Sequence, residues 1–211
     1  TVVLNIGGIA NLSTLPVTPS ANVQVGGFDC GPGNALMDWW CQQHTGAAYD
    51  DQGQWAAGGS VHPELLTHML AEPFLQQAPP KSTGRDLFHP QWLQAQLAAL
   101  GSQISPQDVQ ATLTAFTAHS CADAVRQHGL GSRSLLVCGG GALNTELMRQ
   151  LQALLPTLQV ESTAARGLPP LQVEAAAFAW LARQCLHNLP GSLPAVTGAK
   201  GPRILGAIYP A

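Results

Sequence analysis

Residues 2–40 read VVLNIGGIANLSTLPVTPSANVQVGGFDCGPGNALMDWW, and the class of fold turns on how this stretch divides. "VVLNI" (2–6) has the β-branched, apolar make-up of a strand. "GGIAN" is a glycine-rich turn, "LSTLPV" (12–17) a strand returning from it, and "NVQVGGF" (22–28) a third strand. The result is a meander of three short strands. The loop "DCGPG" (29–33) then leads to Asn34, a favoured N-cap residue. A helix follows to about Thr45, with Leu36, Met37, Trp40 and Cys41 on one face.

Beyond it, prolines and glycines punctuate residues 46–104. This stretch carries a helix near 63–71, the loop "APPKSTGRDLFHP" and a helix near 90–100, and reads as a helical insertion rather than a separate domain. "SPQDVQATLTAFTAHSCADAVRQHG" is the longest helix, capped by Ser105, with Pro106 at its first position and Gly129 as its stop. Val109, Leu113, Phe116, Ala122 and Val125 give it one buried face. A buried strand "SLLVC", three glycines and a helix from about Asn144 come next. Then follow a strand "TLQVES", a strongly apolar helix "LQVEAAAFAWLARQCLHN" and a strand or extended segment "RILGAIYP". A meander followed by alternating strand and helix predicts an α/β protein: a mixed sheet with helices on both faces, in the ribonuclease-H-like order.

Composition narrows the function. Apolar residues are 45% of 211, enough for a substantial core, while charged residues are only 10% against the usual quarter. A net charge of −3 with nine Lys and Arg argues against a nucleic-acid partner. No apolar run is long enough to span a bilayer and no signal peptide is visible, so no membrane partner is expected. Cys30, Cys41, Cys121, Cys138 and Cys185 form no CxxC pair and read as buried free thiols of a reducing cytoplasm. The seven His show no ligand spacing, so a metal site built by this chain alone is not expected. The chain opens directly in a strand, which suggests a fragment with something substantial upstream.

Gly7-Gly8 and Gly139-Gly140-Gly141 follow strands but match neither GxGxxG nor GxxxxGK[ST]. Glycines there let backbone N–H groups face a phosphate or a flat base; they also serve plain turns and crossovers. Asp29 is either a general base or metal-water ligand, or the head of an Asx-turn closing onto Gly31. Glu174, in an otherwise apolar helix, is paired, placed at a helix start favoured by the dipole, or facing a ligand. Lys81 and Arg85 flank "STG" and could meet a phosphate or carboxylate, or stand in a solvated loop. The five tryptophans could stack on a sugar or fill the core.

Eight blocks, in order, resemble the anhydro-N-acetylmuramic acid kinases: "LNIGGIANLS", "GFDCGPGNALMD", "YDDQGQWAAGG", "PPKSTGRDLF", "QDVQATLTAFTA", "VCGGGALNTELM", "VEAAAFAWLA" and "LPAVTGAKGPRILGAIYP". The resemblance runs from Thr1 to Pro210 and implies the two-lobed actin/hexokinase/Hsp70-like ATPase fold. It implies further that residues 1–211 are the C-terminal lobe, lacking the N-terminal one, and inactive alone. The implied cofactors are ATP and Mg²⁺, the partner an amino sugar, the full-length form a cytoplasmic homodimer. The implied reaction opens 1,6-anhydro-N-acetylmuramic acid with water and phosphorylates its O6, in peptidoglycan recycling.

By the same resemblance Asp29 is the general base. Gly7, Gly8, Asn11, Gly139, Gly140, Gly141 and Asn144 bind nucleotide, Gly31, Asn34 and Glu174 bind substrate, and Lys81 and Arg85 are further candidates. Cys30 stands where the family pattern has Thr, and "GLPPLQ" precedes "VEA" where acids are more usual. A non-catalytic nucleotide-binding regulatory lobe, or another sugar or acid kinase of the superfamily, are the alternatives.

Overall fold

A computed structural model describes residues 1–16, 25–101, 103–129 and 131–209. Strands β1 (Val2–Ile6) and β2 (Ile9–Thr14) form an antiparallel hairpin, with Ile6 opposite Ala10 and Asn5 opposite Asn11. Gly7 and Gly8 alone make the turn, because two glycines can reverse the chain. Ile9, Ala10 and Asn11 therefore belong to the strand, where the sequence suggested a longer turn. Strand β3 (Gly26–Pro32) runs antiparallel to β2. It takes in Asp29 to Pro32, expected as loop; at an edge strand the proline's missing N–H does not break the sheet. Asn22 to Gln24, expected in this strand, lie outside the described residues.

Helix α1 (Ala35–Thr45) matches expectation in bounds and buried face. The 46–104 stretch holds α2 (Gln54–Ala57), α3 (Pro63–Leu70) and α4 (Pro90–Leu100). Helix α5 (Pro106–His128) has its expected cap, the Ser105 hydroxyl accepting from the Asp108 N–H at 3.1 Å. Then come β4 (Ser134–Cys138), α6 (Thr145–Leu154), β5 (Gln159–Ser162), α7 (Val173–Leu186) and α8 (Pro194–Thr197). Residues 203–209 form no strand. The Arg203 carbonyl accepts from the N–H of Gly191, so this segment pairs with a neighbouring loop instead of a sheet edge.

The sheet order is β3-β2-β1-β4-β5, with β1, β4 and β5 parallel and the two hairpin pairings antiparallel. Val2, Leu4, Ile6, Ala10, Leu12, Leu135 and Val137 are fully buried on one face, beneath α5. The other face carries Val3, Asn5, Asn11 and Ser13, all half-buried. There Val196 of α8 approaches Gly27, to within 3.0 Å of where a Cβ would stand.

Helix α5 is buried on nearly all sides rather than on one. Helices α1, α2, α3 and α6 surround it beside the sheet. Its threonines make this tolerable: Thr112 and Thr114 donate to the carbonyls one turn back, and Thr117 donates to the Gly33 carbonyl at 3.1 Å. Helix α7 is the reverse case, apolar yet without one buried residue, and Phe178 is 63% exposed. Among the described residues no helix is long and apolar enough to cross a membrane.

Phe116 of α5 is fully buried, with its ring stacked on Trp92 at 5.7 Å and edge-on to Phe88 at 6.2 Å. Phe116→Ala should destabilise the fold by about 3–5 kcal/mol, read from denaturant unfolding as a fall in midpoint with the slope unchanged.

Candidate functional site

The site grows from the hairpin turn. The N–H groups of Gly33 and Ala35 donate to the Gly8 carbonyl at 3.0 and 3.2 Å, and that of Asn34 donates to Gly7 at 2.7 Å. Orphan amides at the start of α1 thus take up the turn's carbonyls. A Cβ on Gly33 would stand 2.2 Å from the Gly7 oxygen, so only glycine allows this backbone approach. Asn34 occupies the N-cap position but does not cap. Its Nδ2 donates to the Ile6 carbonyl at 3.2 Å, which turns the side chain toward the end of β1.

The triple glycine meets the same strand end. Gly139 has φ +78°, and a Cβ there would stand 2.6 Å from Asn5 Oδ1 and the Ile6 oxygen. A Cβ on Gly141 would stand 2.4 Å from Ile6 Cγ2, and one on Gly140 3.2 Å from Asn34 Nδ2. Gly139 and Gly141 pass β1 with no room for a side chain, whereas Gly140 between them is exposed. Gly140 faces a cavity of about 330 Å³ that is also lined by Asn34, Asp38, Asp50 and Asn144 among others. Asn144 caps α6, accepting from the Leu147 N–H at 3.0 Å, and abuts Gly53.

Asp29 lies in β3 beyond a bulge at Ala10/Asn11, which leaves Cys30 without a partner in the register. Phe28, in register with Leu12, faces the α5 side, and Asp29 points to the opposite, half-exposed face, in register with Asn11. The side chain makes no Asx-turn onto Gly31. Asp29 Oδ2 instead accepts from the Ser82 hydroxyl at 2.8 Å and the Thr83 N–H at 2.9 Å, while its own N–H donates to the Lys81 carbonyl at 3.1 Å.

The two cations of this loop part company. Lys81 Nζ donates to the Phe74 and Leu75 carbonyls, each at 3.0 Å, and lies 4.7 Å from the Phe74 ring centroid. Burial pushes its pKa down. The exposed Arg85 guanidinium reaches the hairpin turn, with Nη2 3.2 Å from where a Gly8 Cβ would stand. Gly31 (φ +150°) is buried against Leu75 and Ser120. Cys30 points the same way; its hydrogen bond with Cys121, then burial, hold its thiol well above the usual range.

The residues therefore fall into two groups. Gly7, Gly8, Asn34, Gly139, Gly140, Gly141, Asn144 and Arg85 gather around the end of β1, and Asn11 and Asp29 share a row of the adjoining sheet face. Glu174 stands exposed in the first turn of α7, with no hydrogen bond among the described residues, and does not join them. Trp40, Trp55 and Trp92 pack in or against the core, while Trp180 is 49% exposed. No three His, Cys, Asp or Glu side chains cluster as a metal would need among the described residues.

A family model described as anhydro-N-acetylmuramic acid kinase matches residues 1–211. The chain belongs to the anhydro-N-acetylmuramic acid kinase family. It is 60% identical over 211 residues to an anhydro-N-acetylmuramic acid kinase of Variovorax paradoxus, covering 99% of this chain and 56% of that protein. It is 57% identical to one of Cupriavidus pinatubonensis, covering 99% and 55%. The chain thus spans about half the length of these relatives. A solved structure of the activator of a 2-hydroxyisocaproyl-CoA dehydratase from Clostridium difficile, with bound ADPNP, aligns with TM-score 0.51 at 12% identity. The alignment covers 81% of this chain and 55% of that one, and shows that the two share a fold.

Sequence reasoning missed Asp38, Asp50 and Ser82. Asp50 ties down α2, accepting from the Trp55 and Ala56 N–H groups at 2.9 Å each. Asp38 has its pKa raised to about 6, chiefly by burial, with Asp50 adding to the rise and Arg85 opposing it. An acid whose folded value lies above its unfolded value near 3.9 favours the native state fully below the unfolded value. It loses that contribution as pH rises through about 6. Asp38→Asn should therefore match the parent's melting temperature near pH 4 and exceed it at pH 7.5, a difference that thermal melts across this range will show.

Proposed function

We propose that the full-length protein carrying this sequence is an ATP-dependent kinase. It opens 1,6-anhydro-N-acetylmuramic acid with water and phosphorylates the freed O6, giving N-acetylmuramic acid 6-phosphate and ADP in peptidoglycan recycling. The observation that carries this reading is a carboxylate held in fixed orientation beside a glycine-lined strand end, in a chain of this family.

Asp29 is the general base. Two donors occupy Oδ2, and Oδ1 accepts no hydrogen bond among the described residues. Asp29 takes a proton from the attacking water as its oxygen bonds to the anomeric carbon and the bond from that carbon to O6 breaks. The O6 electron pair then forms the new bond to the γ-phosphorus, and ADP leaves. Gly7 and Gly8, with Gly139 to Gly141, bring bare backbone to the strand end where phosphate and adenosine would lie, and Asn34 and Asn144 line the adjoining cavity. ATP would supply the phosphoryl group, and Mg²⁺ would offset the charge on its phosphates. Arg85 suits the charge developing on that group, whereas Lys81 is committed to carbonyls and holds its loop.

The same reading makes residues 1–211 a C-terminal lobe, with 46–104 a helical insertion in it, inactive until a second lobe completes the ATP clamp. The chain's share of its relatives' length supports this. Cytoplasmic location and a homodimeric full-length form belong to it also.

ADP release with ATP, Mg²⁺ and the anhydro sugar tests the proposal. Asp29→Asn should lower kcat by about 10²–10⁴-fold, the worth of a general base, and Arg85→Ala should also lower kcat with the fold unchanged. An Asp29→Asn protein as active as the parent would remove Asp29 as base. A parent that releases no ADP with this sugar would remove the substrate.

A further inference from the structure

We infer that the loop from Lys81 to Arg85 positions the Asp29 carboxylate, and that Ser82 is the side chain through which it does so. The inference rests on the reading of Asp29 as base. An aspartate χ2 torsion is broad and roughly two-fold, so a carboxylate on a strand can present either oxygen in a range of orientations. Here two donors converge on one oxygen: the Ser82 hydroxyl at 2.8 Å and the Thr83 N–H at 2.9 Å, both on Oδ2. Hydrogen bonds to an ionised acceptor are the stronger kind. Together they fix the plane of the group and leave Oδ1 for the water.

The plainer account is that Ser82 merely ties the loop to the strand. The structure supplies other ties. On one side Lys81 is anchored through Nζ to the Phe74 and Leu75 carbonyls, and through its own carbonyl to the Asp29 N–H at 3.1 Å. On the other side Phe88 is 1% exposed, edge-on to Phe74 at 6.2 Å and to Trp92 at 5.4 Å, and its N–H donates to the Gly84 carbonyl. With both ends held, the exposed Ser82 hydroxyl is not needed to keep the loop in place. What it adds is the second constraint on the carboxylate. The same short loop sets Arg85 over Gly8, so the base and the hairpin turn are held by one piece of backbone.

The experiment uses the full-length protein with ATP, Mg²⁺ and the anhydro sugar, comparing the parent with Ser82→Ala, Ser82→Thr, Asp29→Asn and the Ser82→Ala/Asp29→Asn pair. Ser82→Ala should lower kcat about tenfold, the scale of one hydrogen bond to a charged acceptor. KM for the sugar and the melting temperature should stay within error, and Ser82→Thr should restore most of the rate. In the Asp29→Asn background Ser82→Ala should cost nothing further, because it acts through the lost carboxylate. The inference falls if Ser82→Ala keeps the parent rate, if its loss is as large without Asp29, if Thr does not rescue, or if the loss tracks a lowered melting temperature. Each of these leaves the kinase reading standing when the parent turns over. A parent inactive with this sugar removes both.

Discussion

The backbone of Gly33 lies against that of Gly7, and most of the site depends on that contact. Any Cβ at Gly33 would stand 2.2 Å from the Gly7 oxygen. Three consecutive amides, from Gly33 to Ala35, enter the carbonyls of the hairpin turn. The start of α1 is thereby fixed to the end of β1, and Asn34 is turned to the Ile6 carbonyl and the cavity. Because Gly139 and Gly141 pack on Asn5 and Ile6, the second glycine segment is referenced to the same strand end. Two segments separated by more than a hundred residues are thus referenced to one origin, the end of β1.

A second organising element lies in the 46–104 stretch. Phe88, Phe74, Trp92 and Phe116 form a connected aromatic cluster against α5. It anchors a polar loop whose Ser82, Thr83 and Arg85 reach Asp29 and Gly8. The aromatic side chains that pack α4 on α5 thus lie in the same stretch of chain as the loop that reaches Asp29. Helix α7 stands outside this arrangement, its apolar side chains exposed, and Glu174 in its first turn stays apart from the site.

Much was legible in the sequence. Helix bounds came from local signals: Ser105 and Pro106 open α5, Gly129 follows it, and Asn144 caps α6. The strands of the hairpin and β4 followed from short apolar runs bounded by glycine. Eight blocks in register pointed to the family, and the family model covers the whole chain. These features depend on residues close together along the chain, so spacing alone carries them.

Tertiary structure decided what depends on distant residues meeting. Asp29 to Pro32 looked like loop because glycine and proline disfavour strands, yet pairing with β2 across a bulge made them β3. Asn34 looked like a cap and became a bridge, because the carbonyl of Ile6 was within its reach. Lys81 and Arg85 looked equivalent as cations; burial among carbonyls separated them, one into the scaffold and one onto Gly8. Ser82 lay within the block "PPKSTGRDLF", but nothing along the chain tied it to Asp29, its partner 53 residues away. By itself the sequence determined the longer helices, most of the strands, their order and the family. Which side chains converge was decided by packing, because a hydrogen bond between remote residues leaves no periodicity to read.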